Sequence, residues 1–157
     1  MKDNMEMSQE SRLLILLFQA QHLAFETVES EFWHDGISTQ QALALFIIQS
    51  LGGSTTPSEL SKRLLRRPNS ISAILNRMEK SGFVKLGSDP SRKGVMRATI
   101  TDKGKQAFDN AWRKLNEYSN TVTSTLSAEA KQRLSLDLET LRDRVLQEAS
   151  SKIVPFP

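Results

Sequence analysis

The segment 56–82 constrains the fold of this chain more than any other. It opens with Thr56-Pro57-Ser58-Glu59, which combines an N-cap threonine, a proline at the first helical position and a glutamate at the capping-box position. Arg66-Arg67-Pro68 interrupts the helix that starts there, because the residue before a proline avoids the α region. A second helix is predicted over Asn69–Lys80, and Gly82 is placed to end it in the left-handed conformation. Two short helices joined by a tight turn predict a helix-turn-helix.

The second helix of this motif is amphipathic. Its apolar residues recur at i, i+3, i+4 and i+7, which predicts an inner face of Ile71, Ile74, Leu75 and Met78. The side chains left on the outer face and its flanks are Asn69, Ser70, Ser72, Ala73, Asn76, Arg77 and Lys80. Asn, Ser and Arg hydrogen-bond base edges, Ala permits close approach, and Lys meets phosphate. We therefore predict that this helix enters the major groove of DNA. A solvated polar helix is the alternative, but it would normally be richer in glutamate.

Two short β-prone runs, 83–86 and 95–100, flank a loop of turn-forming residues over 87–94. They predict a β-hairpin with Arg92 and Lys93 at its tip. A basic tip beside the helix would reach the narrow minor groove, where the negative potential is strongest. A solvated basic loop is the alternative. Basic residues at the entrance of the helix-turn-helix are expected to meet phosphates and fix the register, namely Lys62, Arg63, Arg66 and Arg67.

The charge of the chain is concentrated in this same region. Residues 62–105 hold twelve Lys and Arg against three acids, a charge of +9, whereas residues 1–61 carry −6 and residues 106–157 are neutral. A basic middle third is the footprint of a surface that meets a polyanion, most commonly the phosphate backbone of nucleic acid. A solvated Lys/Arg face is the alternative interpretation.

Four further helices are predicted around this core. The first runs from about Ser8 to Trp33 and is apolar on all sides over residues 13–18, which indicates burial by its own domain or by a second subunit. The second, over 38–51, is expected to bury a stripe of Leu43, Phe46, Ile47 and Leu51, and the third runs from 102 to about 125. The last opens at Ser127, and four of its residues have the spacing of a seam that packs along another helix, namely Leu134, Leu138, Leu141 and Val145.

The same apolar surfaces favour a homodimer. One recognition helix gives little affinity, while two related by a two-fold axis read half-sites about one helical turn apart. The apolar segment 13–18 and the 134–145 seam are the surfaces available for pairing. An intramolecular core is the alternative use of these residues.

Several classes of function are disfavoured by the composition. The chain has no cysteine, which excludes disulfides and thiolate metal sites and fits a reducing cytoplasm. Its longest apolar run, six residues, is too short to span a bilayer, and the acidic residues 1–10 do not resemble a signal peptide. No phosphate loop or catalytic motif is present, so we expect no enzyme activity, catalytic residue, metal or cofactor. His22 and His34 are interpreted as surface or pocket-lining residues.

Taken together, the motifs resemble those of the MarR family of winged helix-turn-helix regulators over nearly the whole chain. Pro57–Leu64 is similar to the family's first helix-turn-helix element, Asn69–Gly82 to its recognition helix, and Ile100–Gly104 to its Leu-Thr-x-x-Gly junction after the wing. The wing departs from the family's Asp-x-Arg pattern, since it reads Asp89-Pro-Ser-Arg92 with one residue more. The resemblance implies an obligate homodimer and a small-molecule pocket between the dimer region and the DNA-binding lobe.

The predicted fold is mainly α with a small β-hairpin wing. Residues 37–104 are expected to form a winged helix-turn-helix lobe, and residues 1–36 and 105–157 a helical dimerisation region. A candidate pocket for a small aromatic ligand is formed by His22, Phe25, Phe46, Phe108 and Trp112, although aromatic residues at helical spacing are more often core. The predicted function is that of a sequence-specific dimeric regulator of transcription, which we expect to be a repressor.

Three alternatives are left open by the sequence. An architectural protein that coats or bends DNA would share the basic block without needing the long pairing helices. A regulator that senses metal through His22 and His34 is a second alternative. A winged-helix adaptor that binds only protein is a third, but it would be expected to lack the outward Asn, Ser and Arg side chains.

Overall fold

The computed structural model of the chain describes the backbone of residues 7–152 and the side chains of residues 7–149. The expectations for the two ends, residues 1–6 and 153–157, lie outside the described residues. In chain order the described elements are α1 (Gln9–Trp33), α2 (Thr39–Ser50), β1 (Ser54–Thr55), α3 (Pro57–Leu64), α4 (Pro68–Lys80), β2 (Val84–Ser88), β3 (Met96–Ile100), α5 (Asp102–Val122) and α6 (Ala128–Lys152). The mainly helical fold with a β wing is as predicted.

The chain divides into two compact units, residues 1–116 and 117–157. In the first unit, α2, α3, α4 and the sheet enclose a core in which Leu45, Ile48, Leu60 and Leu75 are almost completely buried. The second unit holds the end of α5 and the 25-residue helix α6, whose start is capped because Ser127 Oγ accepts the Ala130 N–H at 3.2 Å. None of the described helices has the length and hydropathy needed to cross a membrane.

Helix α3 starts as its sequence predicts, with one difference in the cap. Thr56 Oγ1 accepts the Glu59 N–H at 3.2 Å, and Pro57 occupies the first turn. The Glu59 carboxylate, however, accepts a hydrogen bond from Arg63 Nε at 2.6 Å, one helical turn further on. The reciprocal capping-box bond is found instead at α2, where Ser38 and Gln41 each bond the other's backbone N–H.

The inner face of α4 is confirmed. Ile71, Ile74, Leu75 and Met78 are each no more than 2% exposed. Gly82 follows the helix with a φ of +74°, the left-handed conformation that the sequence predicts for it.

The stripe expected on α2 was wrong. The buried apolar residues of this helix are Ala42, Ala44, Leu45 and Ile48, while Leu43 and Phe46 are exposed by 43% and 39%. Residues 42–48 are apolar without interruption, so their periodicity does not single out one face.

The wing belongs to a three-stranded antiparallel sheet with the order β1-β3-β2. β2 and β3 form the predicted hairpin, with Val84 opposite Ile100 and Ser88 opposite Met96. β1 was not predicted, because a strand of two residues leaves no alternating pattern to detect; it pairs Ser54 with Thr99 and Thr55 with Ala98. The third strand ties the hairpin base to the chain that leads into α3.

The junction after the wing is held by Thr101. Its Oγ1 donates to the Gly82 carbonyl oxygen at 2.6 Å and accepts the Gly104 N–H at 3.0 Å, which joins the end of α4 to the start of α5. A Cβ on Gly104 would overlap the Phe83 carbonyl oxygen. This close approach between α5 and the backbone after α4 is open only to glycine.

We predict that Gly104→Ala destabilises the protein by about 1–3 kcal/mol or more, because the added methyl group meets backbone that cannot move aside cheaply. Urea unfolding at one fixed protein concentration measures the change. Gly87→Ala is the matched control, since a Cβ there meets no atom within 4 Å; its effect is expected to stay within about 0.5–1 kcal/mol. Equal losses in the two variants would contradict this explanation.

Candidate nucleic-acid interface and apolar cavity

The outer face of α4 is a continuous polar surface. With the four apolar side chains of this helix buried beneath it, every predicted base-reading residue is exposed: Asn69, Ser70, Ser72, Ala73, Asn76, Arg77 and Lys80. Ser72 Oγ also donates to the Pro68 carbonyl oxygen at 3.2 Å, within the first turn. The surface therefore carries hydrogen-bonding groups on a rigid helix, which is the geometry that major-groove readout requires.

The turn between α3 and α4 brings basic residues to the start of this face. Leu65 closes α3 with a φ of +53°, and its side chain is 53% exposed. Ser61 Oγ donates to the Arg66 carbonyl oxygen at 2.5 Å and the Arg66 N–H donates to the Ser61 carbonyl oxygen at 3.1 Å. The sequence placed the break at Pro68, whereas the chain already leaves the helix at Leu65. Arg66 and Arg67 follow it directly and are both exposed.

Arg63 differs from these two arginines. Its Nε bonds Glu59 within α3, although the side chain remains about half exposed. An exposed i,i+4 pair of this kind is weak, so it leaves Arg63 able to exchange its carboxylate for a phosphate.

Glu79 connects the recognition helix to the wing. Its Oε1 accepts the Leu86 N–H of β2 at 3.0 Å. An open groove of about 480 Å³ lies between these elements, lined by Asn76 on α4 and by Gly87 and Met96 on the strands. Sequence reasoning missed this role of Glu79, because an acid on a polar helix face gives no signal of its partner.

A buried carboxylate fixes the wing loop. Asp89 is 4% exposed and accepts hydrogen bonds from the Ser91 N–H at 2.8 Å, from Arg97 Nε at 2.9 Å and from Arg97 Nη2 at 2.6 Å. Arg97 Nη1 also reaches Ser54 Oγ of β1 at 3.4 Å. The hydrogen bond from Ser91 and then those from Arg97 lower the pKa of the Asp89 carboxyl. Arg97 therefore serves the wing base, and the acid of Asp89-Pro-Ser-Arg92 is paired with it.

The loop that Asp89 and Arg97 hold carries the predicted wing-tip residues. Arg92 and Lys93 are both exposed at the turn between β2 and β3. The loop is closed by backbone hydrogen bonds from Asp89 N–H to the Val95 carbonyl at 2.7 Å and from Arg92 N–H to the Asp89 carbonyl at 3.3 Å. The tip is thus a short ordered turn with two outward cations.

An apolar cavity of about 290 Å³ lies between α1, α2 and α5 within the first unit. Three of the residues predicted for a ligand pocket come together here: the Phe46 and Trp112 rings stack at 4.9 Å between centroids, and the Phe108 ring is 6.1 Å from that of Trp112. The remaining lining residues are Val28, Phe32, Thr39, Ala42, Leu43, Ala111 and Leu115. Lys114 Nζ ties α5 to the end of α1 by bonding Asp35 Oδ2 and the Glu31 carbonyl oxygen, each at 3.0 Å.

The other two residues predicted for the pocket lie elsewhere. Phe25 lines a separate open cavity of about 650 Å³, together with Glu29 and with Arg77 of the recognition helix. His22 is exposed on α1 and lines neither cavity, and His34 is the exposed C-cap residue of the same helix. Within the described residues, no group of three His, Asp or Glu side chains is placed to hold a metal ion.

Comparison with known proteins relates these features to one family. Residues 35–93 match the MarR family. No curated protein matches the chain by sequence. The solved structure of the organohalide-sensing transcriptional regulator RdhR, in its 2,4-dichlorophenol-bound form, superimposes with a TM-score of 0.84 at 27% identity, and the match covers 97% of this chain and 92% of that one.

Two structures of protein–DNA complexes share the fold at lower identity. MepR of S. aureus in complex with DNA has a TM-score of 0.78 and 18% identity, and the match covers 88% of this chain and 99% of that one. A mutant of MarR from E. coli, complexed with operator DNA, has a TM-score of 0.75 and 19% identity, with 83% and 93% of the two chains covered.

We predict that Asp89→Asn lowers the melting temperature, and that the difference from the wild type depends on pH. A carboxyl group whose pKa is lower in the folded state stabilises the fold above its unfolded-state pKa of about 4, and this contribution is lost as the pH falls through the folded-state pKa. The difference should be largest near neutral pH and shrink below about pH 4. Thermal unfolding of both proteins from pH 3 to 7 measures it.

The control for this prediction is Asp137→Asn, which removes an exposed ion pair between Asp137 Oδ2 and Arg133 Nε, 3.2 Å apart on α6. Exposed pairs of this kind contribute little, so this variant should melt close to the wild type at every pH. A pH-independent loss in Asp89→Asn would assign the effect to shape rather than to charge.

Proposed function

Because the chain belongs to the MarR family of winged helix-turn-helix transcriptional regulators, which bind DNA, we propose that it acts as a homodimer on a pseudo-palindromic operator. In this proposal it represses transcription and is released by a small aromatic ligand. Residues 37–104 form the DNA-binding lobe, and residues 1–36 and 105–157 supply the dimerisation region.

The observation that carries the proposal is the two-sided character of α4. One face is buried to within 2% and the other exposes only small, amide, hydroxyl and basic side chains, apart from Glu79 at its end, which bonds the wing. A helix that needed only to be solvated would not exclude acids from its outer face. Base edges are then read by Asn69, Ser70, Ser72, Ala73, Asn76 and Arg77, with Lys80 at a phosphate.

The remaining contacts are to the DNA backbone and the minor groove. Arg63, Arg66 and Arg67 lie at the start of α4 and meet phosphates, which positions the helix without reading sequence. Arg92 and Lys93 extend from the wing toward the adjacent minor groove. The bonds Glu79–Leu86 and Asp89–Arg97 support this second contact, since they hold the wing against the recognition helix.

Dimerisation explains the apolar surface that a single chain leaves exposed. On α1, Leu13, Leu16 and Phe18 are 55%, 51% and 61% exposed; on α6, Leu134 and Val145 are 47% and 64% exposed. A soluble monomer rarely keeps so large an apolar surface in water, so a second copy of the chain is the proposed occupant.

The apolar cavity is the proposed effector site. It is lined by Phe46, Phe108 and Trp112, and RdhR, whose fold this chain shares, has been solved with 2,4-dichlorophenol bound. We infer that a small aromatic molecule binds here and changes the affinity for DNA. His22 and Phe25, the other predicted pocket residues, lie outside this cavity in the chain.

We predict that Asn76→Ala and Arg77→Ala each weaken binding to the cognate operator by about 1–3 kcal/mol and change binding to random DNA little, because base-edge hydrogen bonds are removed. An operator is first selected from a random-sequence library, which also tests whether it is pseudo-palindromic. Fluorescence anisotropy with operator and random duplexes then measures the two affinities.

The comparison variant in this experiment is Arg92→Ala/Lys93→Ala. It should weaken binding to both duplexes alike and reduce the slope of log K against log salt concentration by roughly 0.9 for each phosphate that the wing no longer neutralises. If the α4 variants weakened binding equally on both duplexes, α4 would touch only the backbone, as in an architectural DNA-binding protein. An unchanged slope in the wing variant would place its tip in solvent.

We predict that light scattering in dilute solution gives a mass near twice the 17.7 kDa of one chain. Leu138→Glu/Leu141→Glu should shift the protein toward the monomer, because charges replace apolar side chains on the proposed interface. Gln132→Glu, on the opposite side of α6, is the control and should remain dimeric. A wild-type protein that is monomeric and soluble at micromolar concentration would refute the dimer.

A further inference from the structure

The apolar cavity contains one buried polar group without a partner. Thr39 is the first residue of α2 and is 7% exposed. Its Oγ1 lines the cavity and has no hydrogen-bond partner, the single such buried side-chain atom among the described residues. An unpaired buried hydroxyl destabilises a protein, so it requires an explanation.

The hydroxyl is not needed to build the helix start. The N-cap of α2 is Ser38, whose Oγ accepts the Gln41 N–H at 3.3 Å. The Thr39 N–H is also satisfied, since it donates to Glu29 Oε2 of α1 at 2.7 Å. Because both local bonds are made by other groups, the Thr39 hydroxyl remains available to whatever enters the cavity.

The other lining groups define what can accompany that hydroxyl. No charged side chain lies among the described lining residues, and apart from Thr39 the polar side-chain group is the indole N–H of Trp112, which can only donate. A carboxylate or ammonium group buried here would lack a counter-charge, which is strongly unfavourable. A neutral group that donates or accepts one hydrogen bond matches Thr39, because a hydroxyl can do both.

We propose that this cavity selects an uncharged aromatic molecule that bears one hydrogen-bonding group, and that Thr39 Oγ1 is the atom that recognises this group. The inference rests on the proposed function of the cavity as an effector site and adds its ligand class. Size agrees with it: an apolar cavity of about 150 Å³ accepts benzene, so the 290 Å³ here holds a substituted ring.

The two tryptophans of the chain allow a local measurement. Trp112 lines this cavity, whereas Trp33 lines the separate one with Glu29 and Arg77. In a Trp33→Phe background Trp112 is the remaining tryptophan. Its fluorescence therefore reports binding at this cavity alone.

The test titrates three probes into this background: 4-ethylphenol, 4-ethyltoluene, in which a methyl replaces the hydroxyl, and 4-ethylbenzoate. Each is compared in proteins with Thr39, Thr39→Val and Thr39→Ser. Valine keeps the shape of threonine and removes the hydroxyl, while serine keeps the hydroxyl. Since valine removes an unpaired buried polar group, that variant should melt no lower than its parent, which shows that it is folded.

The expected result is that Thr39→Val lowers the preference for 4-ethylphenol over 4-ethyltoluene by about tenfold, the effect of one hydrogen bond. Thr39→Ser should retain the preference. 4-Ethylbenzoate should not bind at concentrations that saturate the site with 4-ethylphenol, which is neutral at pH 7.

Three results would overturn the inference. If Thr39→Val weakened both neutral probes equally, Thr39 would act by shape alone, and the cavity would remain an effector site. If 4-ethylbenzoate bound as tightly as 4-ethylphenol, the ligand class would be wrong. If no probe changed Trp112 fluorescence, both this inference and the proposed effector site would be rejected, while the DNA-binding proposal would stand on its own experiment.

Discussion

The burial of one face of α4 is the interaction on which the rest of this structure depends. Ile71, Ile74, Leu75 and Met78 pack into the core with α2, α3 and β2, and in doing so they fix the rotation of the helix about its axis. A helix turned by one residue, 100°, would bury polar groups without partners. The choice of which side chains face outward is therefore made by apolar packing, and the polar residues need no bonds of their own to be correctly displayed.

Two polar side chains then relate the wing to this helix. Glu79 binds the backbone of β2, and Asp89 holds the loop through Arg97. Both carboxylates lie in the basic block, where they offset nearby positive charge, and both make bonds that an outward-facing acid at a DNA surface would not make. The three acids of residues 62–105 are thus compatible with a polyanion partner, since two are occupied within the fold and Asp102 pairs with Lys105 at the start of α5.

Local sequence rules predicted the elements where one residue type decides the geometry. Thr56 and Pro57 start α3, Gly82 ends α4, and the spacing from Ile71 to Met78 gives the inner face. Prediction was poor where partners distant in sequence decide. β1 exists only because β3 lies beside it, the Asp89–Arg97 pair depends on the hairpin register, and the continuous apolar run of α2 conceals which side is buried. For the same reason Phe46, Phe108 and Trp112 were grouped correctly with each other but not separated from His22 and Phe25.

The ambiguity of α2 has a physical cause that also bears on regulation. This helix is apolar on two sides because it has two apolar neighbours: Leu45 and Ile48 face the core shared with α3 and α4, while Leu43 and Phe46 line the cavity. Thr39, at its first turn, bonds α1 through Glu29 and presents its hydroxyl to the same cavity. A ligand can shift a conformational equilibrium only through a difference in its affinity for the two states. Since α2 is a wall of the cavity and also a support of α4, any ligand that binds better to one position of α2 acts on the recognition helix without an intervening element.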